Sequence, residues 1–220
     1  MVQKCKEKVR VKICGITNKE DALLAAKLGA DALGFIFAPS PRRVTPEIAR
    51  SIICVIPPFV KTIGVFVNEN PGKIKEIMRF CGLDLVQLHG DESPDICRGF
   101  MPHAIKALRL KNKSILEKIS PYIGTVRALL FDNYSDGNRG GTGKTFDWDL
   151  AVKAKQGGML IIMAGGLNPD NIEVAISTVR PYAVDVNSGV EEWPGKKSPV
   201  LMKKMMEKIK KVNNGGRFDG

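Results

Sequence analysis

Short apolar runs alternate with longer amphipathic segments along the chain. Runs rich in β-branched and other apolar residues predict strands at 9–14, 32–37, 61–67, 84–88, 104–108, 127–132, 159–164 and 182–186. Each run leads into a segment that is a candidate for a helix. The pattern therefore predicts a succession of strand-and-helix units over the whole length.

Residues with capping chemistry mark the ends of the helix candidates. Asn18 caps a helix over 19–28, and Gly29 ends it. Thr45 caps the next helix, which has Pro46 at its first position. Further candidates cover 71–82, 91–100, 111–120, 147–156, a segment opened by Asn168 and Pro169, and 198–212. The segment 111–120 is a short helix or partly a loop.

Alternating strands and helices joined by short connections predict a parallel sheet with crossover helices. Such units close most simply into a single-domain (β/α)8 TIM barrel, an α/β fold, over residues 1–220. Within that range we expect an N-terminal extension at 1–8 and a frayed tail at 213–220. A doubly wound open sheet is the competing architecture, but the units are nearly equal and no GxGxxG follows the first strand.

Composition narrows the class of protein. Hydrophobic residues make up 44% of the chain and charged residues 26%, an ordinary globular balance. No apolar run approaches the roughly 18 residues that span a bilayer, and the charged N-terminus does not resemble a secretory signal. Five cysteines without paired spacing favour a reducing compartment. We therefore expect a cytoplasmic protein that does not bind a membrane.

The formal net charge of +11 stands out from that balance. Such a surplus attracts polyanions, and seven lysines fall between positions 196 and 211. Apolar residues recur at helical spacing in the same segment, which predicts an amphipathic helix whose lysines face solvent. No nucleic-acid recognition motif accompanies the charge, so we expect no nucleic-acid partner.

A thiol stands at the end of the first predicted strand. In a (β/α)8 barrel the active site forms at the carboxyl ends of the strands. Cys14 ends that strand, and alternation along it turns Cys14 and Lys12 toward the barrel axis. A free thiol titrates near ~8.5, so the positive charge of Lys12 would help it to act as a base. A small buried cysteine without a chemical role is the alternative.

Other polar side chains stand at the same predicted rim. Asp132 ends the apolar sixth strand and is a candidate proton donor, with a helix cap or an ion-pair partner as the alternative. Asp185 on the eighth strand faces the axis, where it would pair with Lys12 or contact a substrate. His89 follows the fourth strand and is a candidate for substrate binding at the mouth, although a lone histidine is more often structural. Arg42 lies in the loop after the second strand. Cysteines and histidines lack metal-ligand spacing, so we expect no metal.

Two glycine-bearing loops predict a phosphate site. The candidates are Gly165, Gly166 and Asn168 after the seventh strand, and Ser188 and Gly189 after the eighth. Small residues let backbone N–H groups approach an anion, and phosphate sites of barrels commonly use these two loops. Tight turns alone would also explain the glycines. Together the loops favour a small phosphorylated substrate.

Eight motifs occur in order over nearly the whole chain. They are VKICGIT at 11–17, ADALGF at 30–35, SPR at 40–42, GVFVN at 64–68, VQLHG at 86–90, GGTGKTFDW at 140–148, GGLNP at 165–169 and VDVNSGVE at 184–191. No single motif is specific, but together they resemble the phosphoribosylanthranilate isomerase family. The resemblance implies a (β/α)8 barrel and an Amadori rearrangement of the phosphosugar N-(5-phosphoribosyl)anthranilate.

The resemblance also implies roles for individual residues. Cys14 matches the general base of the family, Asp132 matches its general acid, and Arg42 matches the arginine that contacts the anthranilate part. The glycine loops match the phosphate site, no cofactor is implied, and family members occur both as monomers and as homo-oligomers. Asn133 and Asn187 depart from the small hydroxyl residues usual at those positions. Other phosphate-binding barrels, such as indole-glycerol phosphate synthase, are the nearest alternatives.

Overall fold

Eight parallel strands close into a barrel in the computed structural model, which describes residues 8–109, 119–132 and 158–215. The strands are β1 Arg10–Ile13, β2 Ala32–Ile36, β3 Lys61–Phe66, β4 Leu85–Leu88, β5 Ala104–Arg109, β6 Ala128–Asp132, β7 Leu160–Ala164 and β8 Ala183–Val186. The predicted (β/α)8 barrel is confirmed. The open sheet is excluded because β1 pairs with both β2 and β8.

Helices pack their apolar faces on the outside of the barrel. Those in the described ranges are α1 Lys19–Leu28, α2 Pro46–Ile53, α3 Pro71–Cys81, α4 Pro94–Arg98, α5 Ile172–Val179 and α6 Pro199–Gly215. Two 3-10 turns, Ser120–Tyr122 and Ser188–Val190, and a small antiparallel sheet of β9 Glu191–Trp193 and β10 Lys196–Lys197 complete the described elements. None of these helices is long and apolar enough to cross a bilayer. The helix predicted at 147–156 and most of 111–120 lie outside the described residues.

Helix ends follow the capping chemistry that the sequence predicts. The Asn18 side chain accepts a hydrogen bond from the backbone N–H of Asp21 at 2.8 Å. The Thr45 hydroxyl likewise accepts from Ile48 at 3.3 Å. Gly29 ends α1 with a φ of 101°, in the left-handed region that favours glycine. The predicted boundaries of α1 and the start of α2 are therefore confirmed.

Two helices begin later than predicted. The helix predicted from 91 is shorter, because Ser93 caps it and Pro94 occupies its first position. The helix predicted to open at Asn168 begins at Ile172. The Asn168 carbonyl accepts hydrogen bonds from the N–H groups of Asn171 and Ile172, so a turn precedes the helix.

The last helix runs farther than predicted. It continues to Gly215, so a frayed tail that starts at 213 is a wrong prediction for 213–215. The Asn213 side chain accepts a hydrogen bond from the backbone N–H of Val9 at 3.0 Å and donates one to its carbonyl at 3.1 Å. The end of the helix is thereby attached to the segment that leads into β1.

Among the described residues, the barrel interior contains an apolar cluster and three buried polar side chains. The cluster consists of Ile63, Ile105, Ala107, Ala128, Leu130, Ile162, Ala164 and Ala183. The polar side chains are Lys12, Gln87 and Asp185. Because buried polar groups need partners, this polar part of the interior is where a site is expected.

Candidate active site

Cys14 and Asp132 stand at the carboxyl ends of their strands, as predicted. Cys14 follows β1 directly, and its backbone N–H donates to the carbonyl of Val186 in β8 at 2.8 Å. Asp132 is the last residue of β6 and shares a strand face with Ala128 and Leu130 of the interior cluster. Cys14 is buried, whereas the Asp132 side chain is 19% exposed. Both side chains therefore face the mouth of the barrel.

Lys12 is the centre of the polar interior. Its ammonium group donates to Oδ2 of Asp185 at 2.7 Å and to Oε1 of Gln87 at 2.8 Å, and it lies 3.2 Å from the Cys14 sulfur. Strands β1 and β4 are not neighbours, so the bond to Gln87 crosses the interior. The ion pair that the sequence predicts between Lys12 and Asp185 is present. A contact of Asp185 with substrate stays a prediction.

Gly34 of β2 leaves room for Lys12 and Cys14. A Cβ atom at this position would lie 2.7 Å from the Cys14 sulfur and 2.9 Å from Cε of Lys12. A Cβ atom does not approach non-bonded heavy atoms this closely in real proteins. Any side chain at position 34 would therefore displace the thiol or the ammonium group.

Burial and charge act in opposite directions on Lys12 and Cys14. Burial alone would lower the pKa of Lys12, but the neighbouring Asp185 carboxylate and Cys14 outweigh it, so the pKa is raised. Burial raises the pKa of the Cys14 thiol, and the attraction of Lys12 opposes this shift without cancelling it. Lys12 thus supplies the predicted positive charge, while Cys14 is mostly a thiol at neutral pH.

His89 lies between Gln87 and Asp132. Its Nδ1 atom is 2.8 Å from Nε2 of Gln87, and its Nε2 atom is 3.2 Å from Oδ2 of Asp132. Together with the contacts of Lys12, these bonds form a continuous chain of polar groups from Cys14 to Asp132. The structure therefore connects the two residues that the sequence predicts as base and acid.

Gln87 is a member of this chain that sequence reasoning missed. It is 1% exposed and precedes His89 by two positions, so the two side chains share one face of β4. The sequence does contain a signal for it, because Gln87 is a polar residue between Val86 and Leu88 and lies two positions before a histidine at the strand end. Its partner Lys12 is 75 positions away and cannot be identified from local pattern.

A second buried ion pair holds the loop that carries His89. Nζ of Lys106 lies 3.0 Å from Oε2 of Glu92, and both side chains are almost fully buried. Glu92 accepts hydrogen bonds from the backbone N–H groups of Asn68 and Gly90, each at 2.9 Å. Lys106 donates to the Gly90 carbonyl at 2.6 Å. These bonds fix the loop after β4, and neither Lys106 nor Glu92 was predicted from the sequence.

The guanidinium group of Arg42 is paired with Glu191. Nε of Arg42 lies 2.8 Å from Oε1 and Nη2 lies 2.6 Å from Oε2, a two-point contact. Burial would raise the pKa of Glu191, but hydrogen bonds from Arg42 and Lys197 outweigh it and lower the pKa. Arg42 stands at the predicted rim, and its contact with substrate stays a prediction. Glu191 was not predicted as a site residue.

Lys197 corrects the prediction that the C-terminal lysines face solvent. Its side chain is fully buried and donates to Oε1 of Glu191 and to Oδ1 of Asn187, each at 2.9 Å. Burial lowers the pKa of Lys197, and Glu191 opposes this shift. The residue belongs to β10, before α6, so the helical period does not apply to it. Lys203 and Lys204 of α6 are exposed, as predicted.

The two glycine loops touch at the ends of β7 and β8. Gly165 and Gly166 have φ values of 84° and 67°, in the left-handed region that favours glycine. A Cβ atom at Gly189 would overlap the carbonyl oxygen of Leu167, so only glycine fits at this contact. The predicted phosphate-binding residues of both loops therefore lie at one rim, although their role stays a prediction.

Asn168 and Ser188 differ in how they are held. Oδ1 of Asn168 accepts hydrogen bonds from the backbone N–H groups of Asp170 and Asn171, at 2.8 and 3.2 Å. Its side chain therefore shapes the turn before α5. Ser188 begins the 3-10 turn after β8 and is exposed. The hydroxyl of Ser188 is thus the better placed of the two side chains for a ligand.

A cavity of about 730 Å³ opens at the ends of β4 and β5. Its lining includes Asn68, His89, Arg109 and Tyr122. This volume lies in the range of small-molecule sites, roughly 300–1,000 Å³. Within the described ranges, no group of three or more His, Cys, Asp or Glu side chains is placed to hold a metal ion. The motif at 140–148 lies outside the described residues.

Known proteins resemble the chain over nearly its full length. The family model for N-(5′-phosphoribosyl)anthranilate (PRA) isomerase matches residues 11–208. A relative of that name from Pelobacter propionicus is 52% identical over 207 residues, which cover 94% of this chain and 98% of the relative.

Solved structures agree with this match. A phosphoribosyl anthranilate isomerase in complex with reduced 1-(O-carboxyphenylamino)-1-deoxyribulose 5-phosphate is 43% identical, with a TM-score of 0.81, and the match covers 92% of this chain and 98% of the other. Monomers generated from the dimeric enzyme of Thermotoga maritima are 40% identical, with a TM-score of 0.80 and the same coverage. The length of these matches and their sequence identity show that the chain belongs to the N-(5′-phosphoribosyl)anthranilate isomerase family, a family of isomerases.

Proposed function

We propose that the protein catalyses the Amadori rearrangement of N-(5-phosphoribosyl)anthranilate in tryptophan biosynthesis. The product is 1-(2-carboxyphenylamino)-1-deoxyribulose 5-phosphate. The observation that carries the proposal is the chain of polar contacts between Cys14 and Asp132, at the rim where a (β/α)8 barrel has its active site. A thiol and a carboxyl group across one opening are suited to move two protons on one substrate.

Asp132 acts as the general acid. It gives a proton to the furanose ring oxygen while the bond from that oxygen to C1′ breaks, which leaves an iminium group at C1′. Partial exposure at the mouth allows contact with substrate, and the carboxylate that remains is beside Nε2 of His89. A positioned acid of this kind typically accelerates a reaction ~10²–10⁴-fold.

Cys14 acts as the general base. Its thiolate removes the proton from C2′ and neutralises the iminium group to an enolamine. A proton then adds to C1′ while the C2′ hydroxyl becomes a carbonyl, so the isomerisation consumes no net proton. Lys12 supports this role because its charge lies 3.2 Å from the sulfur and favours the thiolate. Proton transfers alone complete the reaction, so it needs no redox or metal cofactor.

The remaining site residues bind the substrate. Gly165, Gly166, Asn168, Ser188 and Gly189 hold the phosphate, which the contact between their two loops supports. Arg42 contacts the anthranilate part, and His89 contacts the sugar from the cavity wall.

Asp185 completes the set as an acceptor for a sugar hydroxyl. Its Oδ2 atom is bound to Lys12, whereas Oδ1 is buried without a hydrogen-bond partner in the described part of the chain. Buried carboxylate oxygens are costly without a donor. A substrate hydroxyl would provide that donor.

The proposal also covers the cellular location and the binding partners of the enzyme. The enzyme works in the cytoplasm on a small phosphosugar and binds neither membranes nor nucleic acid. A homo-oligomer is consistent with the dimeric relative from Thermotoga maritima. Size-exclusion chromatography with light scattering tests the oligomeric state.

The decisive test replaces the two catalytic residues. Cys14→Ala and Asp132→Ala are each expected to lower kcat at least about a hundredfold, measured by the loss of substrate fluorescence. Cys54→Ala and Asp95→Ala are matched controls, because both residues are exposed, and they should keep wild-type turnover. Circular dichroism checks that all four variants fold. Near wild-type turnover in either catalytic variant would refute the assignment.

A further inference from the structure

The orientation of the buried Gln87 amide is fixed by its neighbours. A lysine ammonium group only donates hydrogen bonds. The Gln87 atom 2.8 Å from Nζ of Lys12 is therefore the amide oxygen, and the amide nitrogen faces His89. Because Gln87 is 1% exposed, these two neighbours determine its orientation.

This orientation decides which ring nitrogen of His89 carries the hydrogen. An amide nitrogen only donates, so Nδ1 of His89, 2.8 Å away, must accept and carries no hydrogen. A neutral ring with a bare Nδ1 has its hydrogen on Nε2. That hydrogen points at Oδ2 of Asp132, 3.2 Å away. The bonds thus run in one direction, and each of Lys12, Gln87 and His89 donates to the next group.

His103 provides the opposite case in the same protein. Its Nδ1 atom lies 3.0 Å from the carbonyl oxygen of Asp84, which only accepts. Nδ1 of His103 therefore carries a hydrogen. The chain has two histidines, so the contrast gives an internal reference for an experiment on His89.

We infer that Gln87 is a positioning residue, which holds His89 as the tautomer that donates from Nε2 to the carboxyl group of Asp132. The inference rests on the proposed role of Asp132 as general acid. As Asp132 gives up its proton, negative charge develops on the carboxylate, and a hydrogen bond to an ionised acceptor is the stronger kind. The Nε2–H group therefore stabilises the state after proton transfer more than the state before it.

The tautomer is measured directly by long-range ¹H–¹⁵N NMR of the histidine rings near neutral pH. The His103→Gln variant identifies the signals of His89. In the wild type we expect a bare Nδ1 and a protonated Nε2 for His89. In Gln87→Glu the side chain only accepts, so Nδ1 of His89 is expected to become protonated. In Gln87→Met, which lacks the donor, a mixture of tautomers is expected.

Kinetics measure the consequence for the reaction. Gln87→Glu and Gln87→Met are expected to lower kcat about tenfold to a hundredfold, the size expected for losing a hydrogen bond to a charged group. KM should change less than about threefold, because Gln87 is buried and does not touch the substrate. His103→Gln, at an exposed position, should leave both constants unchanged.

Two results would overturn the inference. One is a protonated Nδ1 on His89 in the wild type, which is informative even if every Gln87 variant fails to fold. The other is an unchanged tautomer and kcat in a folded Gln87→Glu. Wild-type turnover of Asp132→Ala combined with the expected NMR signals would instead refute the acid assignment and leave the effect of Gln87 on the tautomer intact.

Discussion

Lys12 and Asp185 are register partners on β1 and β8, and their side chains form a buried ion pair of 2.7 Å. Transfer of two charges out of water costs several kcal/mol, so stability alone is a weak reason for such a pair. Its position gives a functional reason, because the ammonium group also lies 3.2 Å from the Cys14 sulfur. The pair keeps a positive charge fixed beside the thiol, where it opposes the rise in the Cys14 pKa that burial causes.

The first prediction concerns the pH dependence of the reaction. The pKa of the Cys14 thiol is raised, and the base is active only when deprotonated. We therefore expect kcat/KM of the wild type to keep increasing with pH from about 7 to beyond 9, because a raised pKa lies above the range in which a free thiol titrates. In Lys12→Met the pKa should rise further, so the increase should shift to higher pH. Initial rates across this range measure both effects.

Lys73→Met is the matched control for that substitution. Lys73 is half exposed in α3 and pairs with Glu76 on the helix surface. The pH profile of Lys73→Met should coincide with that of the wild type. An unshifted profile in a folded Lys12→Met would contradict the role of Lys12. Because that variant leaves Asp185 unpaired, urea unfolding at a fixed pH should accompany the kinetics.

The fold and part of the site could be predicted because they follow from local periodicity. Alternation along each strand determined that Lys12 and Cys14 share a face, and closure of the barrel made strands one and eight neighbours. These two rules suffice to predict the pair of Lys12 with Asp185. The positions of Cys14 and Asp132 at strand ends likewise need only the strand boundaries.

The missed residues have partners that local pattern does not reveal. Gln87 accepts a hydrogen bond from Lys12 across the barrel. From the sequence alone, Gln87 is only a polar residue within an apolar strand. Lys197 stands in a lysine-rich segment whose other members are exposed or partly exposed, yet it is buried and pairs with Glu191 of the preceding strand. Only the packed structure shows which lysine of the run is buried.

The second prediction tests the contact between the glycine loops. A Cβ atom at Gly189 would overlap the Leu167 carbonyl, so Gly189→Ala must separate the loops. If the loops hold the phosphate, KM should rise at least about tenfold, while kcat falls less. Gly82→Ala is the control, because its φ is 74° but nothing lies within 4 Å. It should cost about 1 kcal/mol of stability and leave KM unchanged.

The third prediction concerns Glu191, which pairs with both Arg42 and Lys197. Glu191→Gln leaves two cations beside each other in a site that is largely buried. We expect a loss of about 3 kcal/mol in the free energy of unfolding, measured with urea. Glu207→Gln removes an exposed carboxylate 4.0 Å from Lys203 and should change it by less than about 0.5 kcal/mol. Equal losses in the two variants would show that the pairing at Glu191 is unimportant for stability.

The fourth prediction concerns stability at alkaline pH. Burial raises the pKa of Cys81 and of Cys97 to about 11 in the folded protein. In the unfolded chain these thiols lose their protons from about pH 8.5 upward, so the unfolded state binds fewer protons. The free energy of unfolding should therefore fall between about pH 9 and 11, by roughly 1–2 kcal/mol for each thiol.

Urea unfolding at pH 8.5 and 10.5 separates this effect from the titration of other groups. The fall between the two pH values should be smaller in Cys81→Ala and in Cys97→Ala than in the wild type, although each variant starts from a lower stability because it creates a cavity. Cys54→Ala removes an exposed thiol and should leave the fall unchanged. If all three variants lose as much stability as the wild type between the two pH values, the buried thiols do not govern alkaline unfolding.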